Sequence, residues 1–209
     1  MHAICGIGVI TIDHKDFIPH EYLPTFQSDC IELWFHKIPG VSRAFVAWND
    51  DLFINAPVEP GFFLRKSKLA VYTDGNMSQQ FYLYKHVRRL YPRWVSKGAH
   101  VPRARSVEVM ETIHDKHPAD IDVCCRGKMR GTHVLNVSSF IPAAAGPDHM
   151  VRIIKKHRRH SLIYMSYGRL RARMANGDLT APKCHILCVN DFNGSARDTY
   201  TTFLNNHFI

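Results

Sequence analysis

Acidic residues are missing from two long stretches of this 209-residue chain, and the excess of positive charge lies in them. Residues 75–107 contain seven Lys and Arg, residues 149–177 contain eight, and neither stretch contains Asp or Glu. Acidic residues outnumber basic ones in the rest of the chain, so the net charge of +9 is segregated. A segregated positive field is typical of a surface that binds a polyanion, because each neutralised phosphate releases a counterion.

Other signatures are missing as well. No Gly/Ser linker, low-complexity run or internal repeat divides the chain, and no apolar run is long enough to span a bilayer. No P-loop, GxGxxG or GxSxG motif occurs. Six Cys occur without a secretory signal, which indicates free thiols in a reducing compartment. Hydrophobic content of 45% is enough for a core, so we predict a single compact domain over residues 1–209 without a transmembrane segment.

The apolar pattern predicts an α+β fold, mostly an antiparallel sheet with about three helices. The predicted helices are residues 28–38, 78–91 and 148–160; Asp29 caps the first, with Glu32 three residues later. Residues 42–48 and 52–55 are predicted to pair as a hairpin around Asn49-Asp50-Asp51. Further strands are predicted at 3–12, 62–73, 105–113, 132–140, 169–174, 183–190 and 200–209, with a loop at 142–147.

The candidate nucleic-acid-binding residues are basic residues of the two acid-free stretches. In the predicted strand 169–174, alternation places three arginines on one face, about 7 Å apart, which is comparable to the phosphate spacing of a nucleic acid strand. No helix-turn-helix, zinc-finger or RNP signature accompanies them. The set comprises Lys85, Arg88, Arg89, Arg93, Arg103, Arg105, Lys155, Lys156, Arg158, Arg159, Arg169, Arg171 and Arg173.

Cys30 is the candidate for covalent chemistry. It lies in the first turn of a predicted helix, where the helix dipole lowers a thiol pKa. His133 follows about a hundred residues later, at the start of a predicted strand. The order of Cys on an early helix and His on a later strand resembles papain-like proteases, although Ile31 replaces the aromatic residue that follows the Cys in that family. The resemblance implies a cysteine protease that uses Cys30 and His133.

No cofactor and no metal site is predicted. Cys184 and Cys188 lie on one face of a predicted strand, and further ligands could come from Cys124, Cys125, His114 and His117. The C-x3-C spacing and the isolated Cys pair do not match the tight paired spacings of a structural zinc site.

The leading interpretation is a non-enzymatic basic protein that binds nucleic acid, with RNA favoured over DNA, or another polyanion. Such a protein is typically a viral coat or matrix protein or a ribonucleoprotein subunit, in the cytoplasm, the nucleus or a virion. Apolar edge strands at 3–12 and 200–209 would pair between subunits, so we predict a homo-oligomer or a subunit of a larger assembly. The alternative is the papain-like cysteine protease.

Overall fold

The computed structural model describes residues 8–65, 68–73, 102–129, 135, 137–145, 151–155, 162–165, 172, 175–176, 185–189, 201–203 and 205. Internal contacts divide the chain into two compact units. The first unit comprises residues 1–45, 76–96 and 105–150, and the second comprises residues 46–75, 97–104 and 151–209. This division does not test the single-domain prediction, which stays a prediction.

The described chain contains eight strands and four α-helices, and three of these helices follow one another between the fifth and sixth strands. The strands are β1 (Ala44–Ala47), β2 (Leu52–Ile54), β3 (Leu64–Arg65), β4 (Lys68–Thr73), β5 (Arg103–Ser106), β6 (Val151–Lys155), β7 (Leu162–Met165) and β8 (Ile186–Val189). The α-helices are α1 (Ser28–Leu33), α2 (Val107–Lys116), α3 (Pro118–Arg126) and α4 (Val137–Ala145). Short 3₁₀ helices lie at His14–Asp16, His20–Tyr22, Phe35–Lys37 and Pro60–Phe62. The predicted α+β class is confirmed.

The first unit contains the α-helices α1, α2, α3 and α4. Ser106 begins α2 because its side-chain oxygen accepts a hydrogen bond from the backbone N–H of Val109, at 3.4 Å. α3 follows at once, with Pro118 in its first turn, where a missing N–H costs nothing. α1 packs against α3 and α4, and α2 packs against the same two helices. The residues that these helices bury include Leu33, Met110 and Phe140, each fully buried.

The second unit contains two three-stranded sheets, in the orders β2-β8-β7 and β3-β4-β6. β2 pairs antiparallel with β8, so that Leu52 lies opposite Cys188, whereas β7 and β8 run parallel. β3 and β4 are antiparallel, and β4 and β6 are parallel. β1 and β5 form a separate two-stranded pair, and the division between the units falls inside both strands.

Several predicted elements were wrong. β1 and β2 exist, but they pair with β5 and β8 and not with each other, so there is no hairpin. Residues 107–113 are helical and not a strand, because the Ser106 side chain caps the helix. Residues 137–145 are also helical, where a strand and a loop were predicted. Residues 151–155 form a strand and not a helix, because their β-branched residues pair along β4. The predicted helix at 78–91 lies outside the described residues.

Both predicted edge strands are also wrong where the structure describes them. Residues 8–12 have no regular structure, and residues 201–203 are helical. Ala172 is helical and accepts a hydrogen bond from the backbone N–H of Asn176, at 3.2 Å, as in a helix and not a strand. The three arginines of that predicted strand lie outside the described residues.

Candidate functional site

A tight turn between β1 and β2 carries adjacent carboxylates on Asp50 and Asp51. The backbone N–H of Leu52 donates to the carbonyl oxygen of Asn49 at 3.2 Å and closes the turn. Asn and Asp favour such turns because their short polar side chains bond to nearby backbone. The Asp50 side chain is exposed, whereas Asp51 is half-buried. Two carboxylates are thus presented where a strand has just ended.

The turn is fixed from two sides. The indole N–H of Trp48 donates to the carbonyl oxygen of Leu52, at 2.9 Å, which bridges the turn from its beginning to its end. From β8, the thiol of Cys188 donates to Oδ2 of Asp51, at a sulfur–oxygen distance of 3.7 Å. Burial, followed by the Asp51 carboxylate, raises the pKa of Cys188 to about 12, so the thiol stays protonated and remains a donor. The Asp51 carboxylate is therefore oriented by a neighbouring strand.

The first unit has its own buried charges. Glu32 of α1 and Arg105 of β5 form an ion pair with 3.7 Å between oxygen and nitrogen, and the Arg105 side chain is only 3% exposed. Asp29 accepts a hydrogen bond from the backbone N–H of Val137 at 3.2 Å, so it joins α1 to the start of α4. The predicted cap of α1 by Asp29 is wrong, because Gln27 is the cap residue and makes no side-chain cap bond. The Glu32–Arg105 ion pair and the Asp29 hydrogen bond thus connect α1 to β5 and to α4.

Cys30 is completely buried, in a group of thiols with Cys124 and Cys125. A hydrogen bond from the Cys125 thiol lowers the pKa of Cys30, against the opposing effect of burial, and the Thr25 hydroxyl also donates to it. A nucleophile must reach its substrate, and this sulfur has no access to solvent. His133 lies outside the described residues. The geometry at Cys30 is that of a structural thiol and gives no support to covalent catalysis.

The predicted basic site lies mostly in residues that the structure does not describe. Arg105 is buried in the pair with Glu32, Arg103 is half-buried, and Lys155 ends β6 opposite Thr73. The other ten members lie outside the described residues: Lys85, Arg88, Arg89, Arg93, Lys156, Arg158, Arg159, Arg169, Arg171 and Arg173. The prediction for the set as a whole stays a prediction.

The described part of the chain contains neither a metal-binding cluster nor a helix that could span a membrane. Its His, Cys, Asp and Glu side chains form no group of three that could hold a metal ion. Of the earlier ligand candidates, Cys124, Cys125 and Cys188 are buried free thiols, and Cys184 is not described. No helix in the described residues has the length and apolar character needed to cross a bilayer.

Comparison with known proteins bears on the segment that contains the carboxylate turn. Residues 7–72 match the family model for Stealth protein CR2, conserved region 2. The matched segment runs from the N-terminal 3₁₀ helices through α1 and the turn into β4. It therefore includes Trp48, Asp50 and Asp51.

Relatives with curated names point the same way. The chain is 26% identical to the capsular polysaccharide phosphotransferase fcs1 of Haemophilus influenzae over 94% of its own length and 61% of the relative's. It is 42% identical to the receptor polysaccharide phosphotransferase WefC of Streptococcus oralis over 31% of the chain and 19% of the relative. The exopolysaccharide phosphotransferase cps2G of Lactiplantibacillus plantarum is 48% identical over 32% of the chain and 20% of the relative. The chain thus spans about three fifths of the first relative and about a fifth of the other two.

These matches overturn the functional interpretation drawn from charge. A viral or ribonucleoprotein structural protein that binds RNA is contradicted, because the matched proteins are named polysaccharide phosphotransferases. The papain-like protease alternative is contradicted by the same finding. The expectation of a non-enzymatic protein loses its support, because the matched relatives are named phosphotransferases. Self-association and the cellular compartment stay predictions.

Trp48, Asp50 and Asp51 are not among the functional candidates that the sequence predicts. The Asn-Asp-Asp run predicts only a turn, because Asn and Asp are enriched in turns of every kind. Two adjacent carboxylates directly after an apolar strand were the available signal. The partner that orients Asp51 lies 137 residues away on β8, and no local pattern reports such a contact.

Proposed function

We propose that this chain is a phosphotransferase, or part of one, that acts in the synthesis of a bacterial surface polysaccharide. The observation that carries the proposal is that a fixed turn with two carboxylates lies inside the segment matching the Stealth CR2 model. Similarity to fcs1 over 94% of the chain supports the same activity class.

The chemistry follows from the name of the activity. A saccharide hydroxyl attacks the phosphorus atom of an activated donor, a new P–O bond forms, and the P–O bond to the leaving group breaks. The hydroxyl proton must go to a base within hydrogen-bond reach. We assign that role to Asp51, because a base oriented by a third group is the usual arrangement and Cys188 supplies the orienting contact. We assign the binding of the incoming hydroxyl groups to Asp50, which is exposed beside it.

The test measures phosphodiester formation by ³¹P NMR. The purified chain is mixed with a panel of nucleotide-activated sugars and oligosaccharide acceptors, with fcs1 as the positive control. We expect a new phosphodiester resonance, and a loss of kcat of about 10²- to 10⁴-fold in Asp51→Asn, the range for a missing general base. Glu59→Gln, an exposed carboxylate in the same unit, is the matched control and should leave the rate unchanged.

Two results would contradict the proposal. One is that no phosphodiester forms with the chain under conditions where fcs1 produces it. The other is that Asp51→Asn transfers at the rate of the Glu59→Gln control, which would remove the carboxylate turn from the reaction.

A further inference from the structure

Trp48 combines exposure with a fixed orientation. Its side chain is 39% exposed, although its indole N–H is bonded to the carbonyl oxygen of Leu52 at 2.9 Å. That bond spans the carboxylate turn, so the ring is held at the turn and cannot swing away without breaking it. An aromatic ring that is both exposed and held in one orientation can bind a flat ligand face without a further loss of side-chain freedom.

The chemistry beside the ring fits a sugar. The face of an indole is electron-rich, and one face of a pyranose ring presents a patch of weakly positive C–H groups. The rim of the same pyranose carries hydroxyl groups, which donate hydrogen bonds to carboxylates. Asp50 follows Trp48 by two residues and is exposed. Apolar area for the ring face and a few polar groups for the rim together make a small-molecule site that sets orientation.

We propose that Trp48 is the platform on which a pyranose ring of the saccharide substrate stacks. The inference rests on the proposed phosphotransferase function and adds to it a positioning residue and a ligand class. Stacking on Trp48 places the sugar hydroxyls over the turn, next to Asp50 and the Asp51 base. Because the ring acts on sugar position and not on proton transfer, its loss should raise KM more than it lowers kcat.

Phe26 provides a matched control. Its ring is 64% exposed, more than that of Trp48, and it lies in the first unit. Its loop is also held, because the backbone N–H of Phe26 donates to the carbonyl oxygen of Lys128 at 2.9 Å. Phe26→Ala therefore removes an exposed aromatic ring of the first unit, from a loop whose backbone is held. General loss of apolar surface would affect both variants, whereas a specific sugar contact affects Trp48 alone.

The first measurement is binding without turnover. Binding of lactose and cellobiose to the full chain is measured by isothermal titration calorimetry, with uridine as a nucleobase probe. We expect saturable binding of at least one disaccharide to the wild type and to Phe26→Ala, and an affinity about three- to tenfold weaker in Trp48→Ala. Disaccharide affinity that is unchanged in Trp48→Ala overturns the inference. A response to uridine alone overturns it too, because the ring would then stack on a base.

The second measurement is transfer kinetics. KM for the saccharide acceptor should rise about three- to tenfold in Trp48→Ala, the effect expected for one aromatic contact, with a smaller rise in Trp48→Phe. Unchanged KM in Trp48→Ala, in an enzyme that forms phosphodiester, overturns the Trp48 inference and leaves the proposed function standing. Disaccharide binding that requires Trp48, in a chain that forms no phosphodiester while fcs1 does, contradicts the proposed function and leaves the Trp48 inference standing. If Trp48→Ala does not fold, Trp48→Leu decides by the same binding measurement, because leucine keeps apolar bulk but has no aromatic face.

Discussion

His36 and His114 share one hydrogen-bond acceptor, the carbonyl oxygen of Leu33. Nδ1 of His36 lies 3.1 Å from it and Nε2 of His114 lies 3.0 Å from it, with 4.5 Å between the ring centroids. A carbonyl oxygen only accepts, so each of these nitrogens carries a proton. Two charged rings this close would repel each other. The arrangement therefore favours two neutral imidazoles, each in a defined tautomer.

The histidine pair predicts acid sensitivity in the mildly acidic range. Burial, followed by the charges of His114 and Lys37, lowers the pKa of His36 to about 4, and burial lowers that of His114. The unfolded chain takes up protons near pH 6.5, before the folded one does. Stability is therefore fully present above pH 6.5 and is lost as the pH falls toward 4, by up to about 1.4 kcal/mol per pH unit for His36.

His36→Asn tests this, because Asn keeps a donor near the position of Nδ1 but does not titrate. Melting temperature measured from pH 7 to pH 4 should fall less steeply in this variant than in the wild type. His20→Asn, at an exposed histidine, should leave the slope unchanged. If melting temperature falls with pH at the same slope in the wild type and in His36→Asn, the pair does not control acid stability.

The Glu32–Arg105 pair predicts a large loss of stability when one partner is removed. Arg105→Met should lower the free energy of unfolding by about 3–5 kcal/mol, because it removes the buried guanidinium that pairs with the half-buried Glu32 carboxylate. Lys37→Met removes an exposed pair with Glu111 of similar length, 3.4 Å, and should cost at most about 1 kcal/mol. Urea unfolding measures both. Equal losses in the two variants would mean that burial of the Arg105 pair contributes nothing.

Local patterns predicted part of this fold. The apolar stripe of residues 28–38 located α1 at its true start, Ser28, and alternation located β2 and β8. Errors arose where two periods fit the same residues. The pattern of residues 105–113 fits a strand, but Val109, Met110 and Ile113 also share one helix face. The hydrogen bond to the Ser106 side chain stabilises the helix. Strand partners depend on contacts far apart in sequence, so the pairing of β2 with β8 was not predictable from local pattern.

The candidate site was even less accessible to local pattern. Charge segregation was the most visible property of the sequence, and it indicated a polyanion as the partner. A positive surface says which charge a partner carries and not what reaction takes place. The turn with Asp50 and Asp51 is a candidate site because two hydrogen bonds fix it. One is local, from Trp48, and the other comes from Cys188 on β8. The second is a tertiary contact, which only the fold provides.

Asp122 predicts a second, more acidic transition. Nε of Arg126 and the hydroxyl of Tyr22 each donate to its carboxylate, at 2.8 Å. The Arg126 bond, followed by the Tyr22 bond, holds the pKa of Asp122 below its usual value. The folded state therefore gains stability above the unfolded pKa of about 3.9 and loses it as the pH falls through the lower, folded value.

Asp122→Asn should flatten the fall in melting temperature below about pH 4, because the amide cannot be protonated in that range. At pH 7 it should melt at a lower temperature than the wild type, since the charge-assisted bond to Arg126 is lost. Asp50→Asn, an exposed carboxylate, is the control and should reproduce the wild-type slope. A wild-type slope in Asp122→Asn would remove this network from the acid response.

The contact between Cys188 and Asp51 predicts an effect on rate that exceeds its effect on stability. Cys188→Ala removes the donor to Oδ2, so the Asp51 carboxylate loses its orientation, and kcat for transfer should fall about tenfold, or 1.4 kcal/mol in activation free energy. Cys188→Ser keeps a donor and should recover most of the rate. Cys124→Ala is the matched control, because Cys124 is an equally buried thiol in the other unit, and its pKa is also raised to about 12 by burial. Both alanine variants should lose similar stability in urea unfolding, so a rate loss confined to Cys188→Ala assigns the effect to Asp51. A rate loss of the same size in Cys124→Ala would mean that the thiols act only through packing.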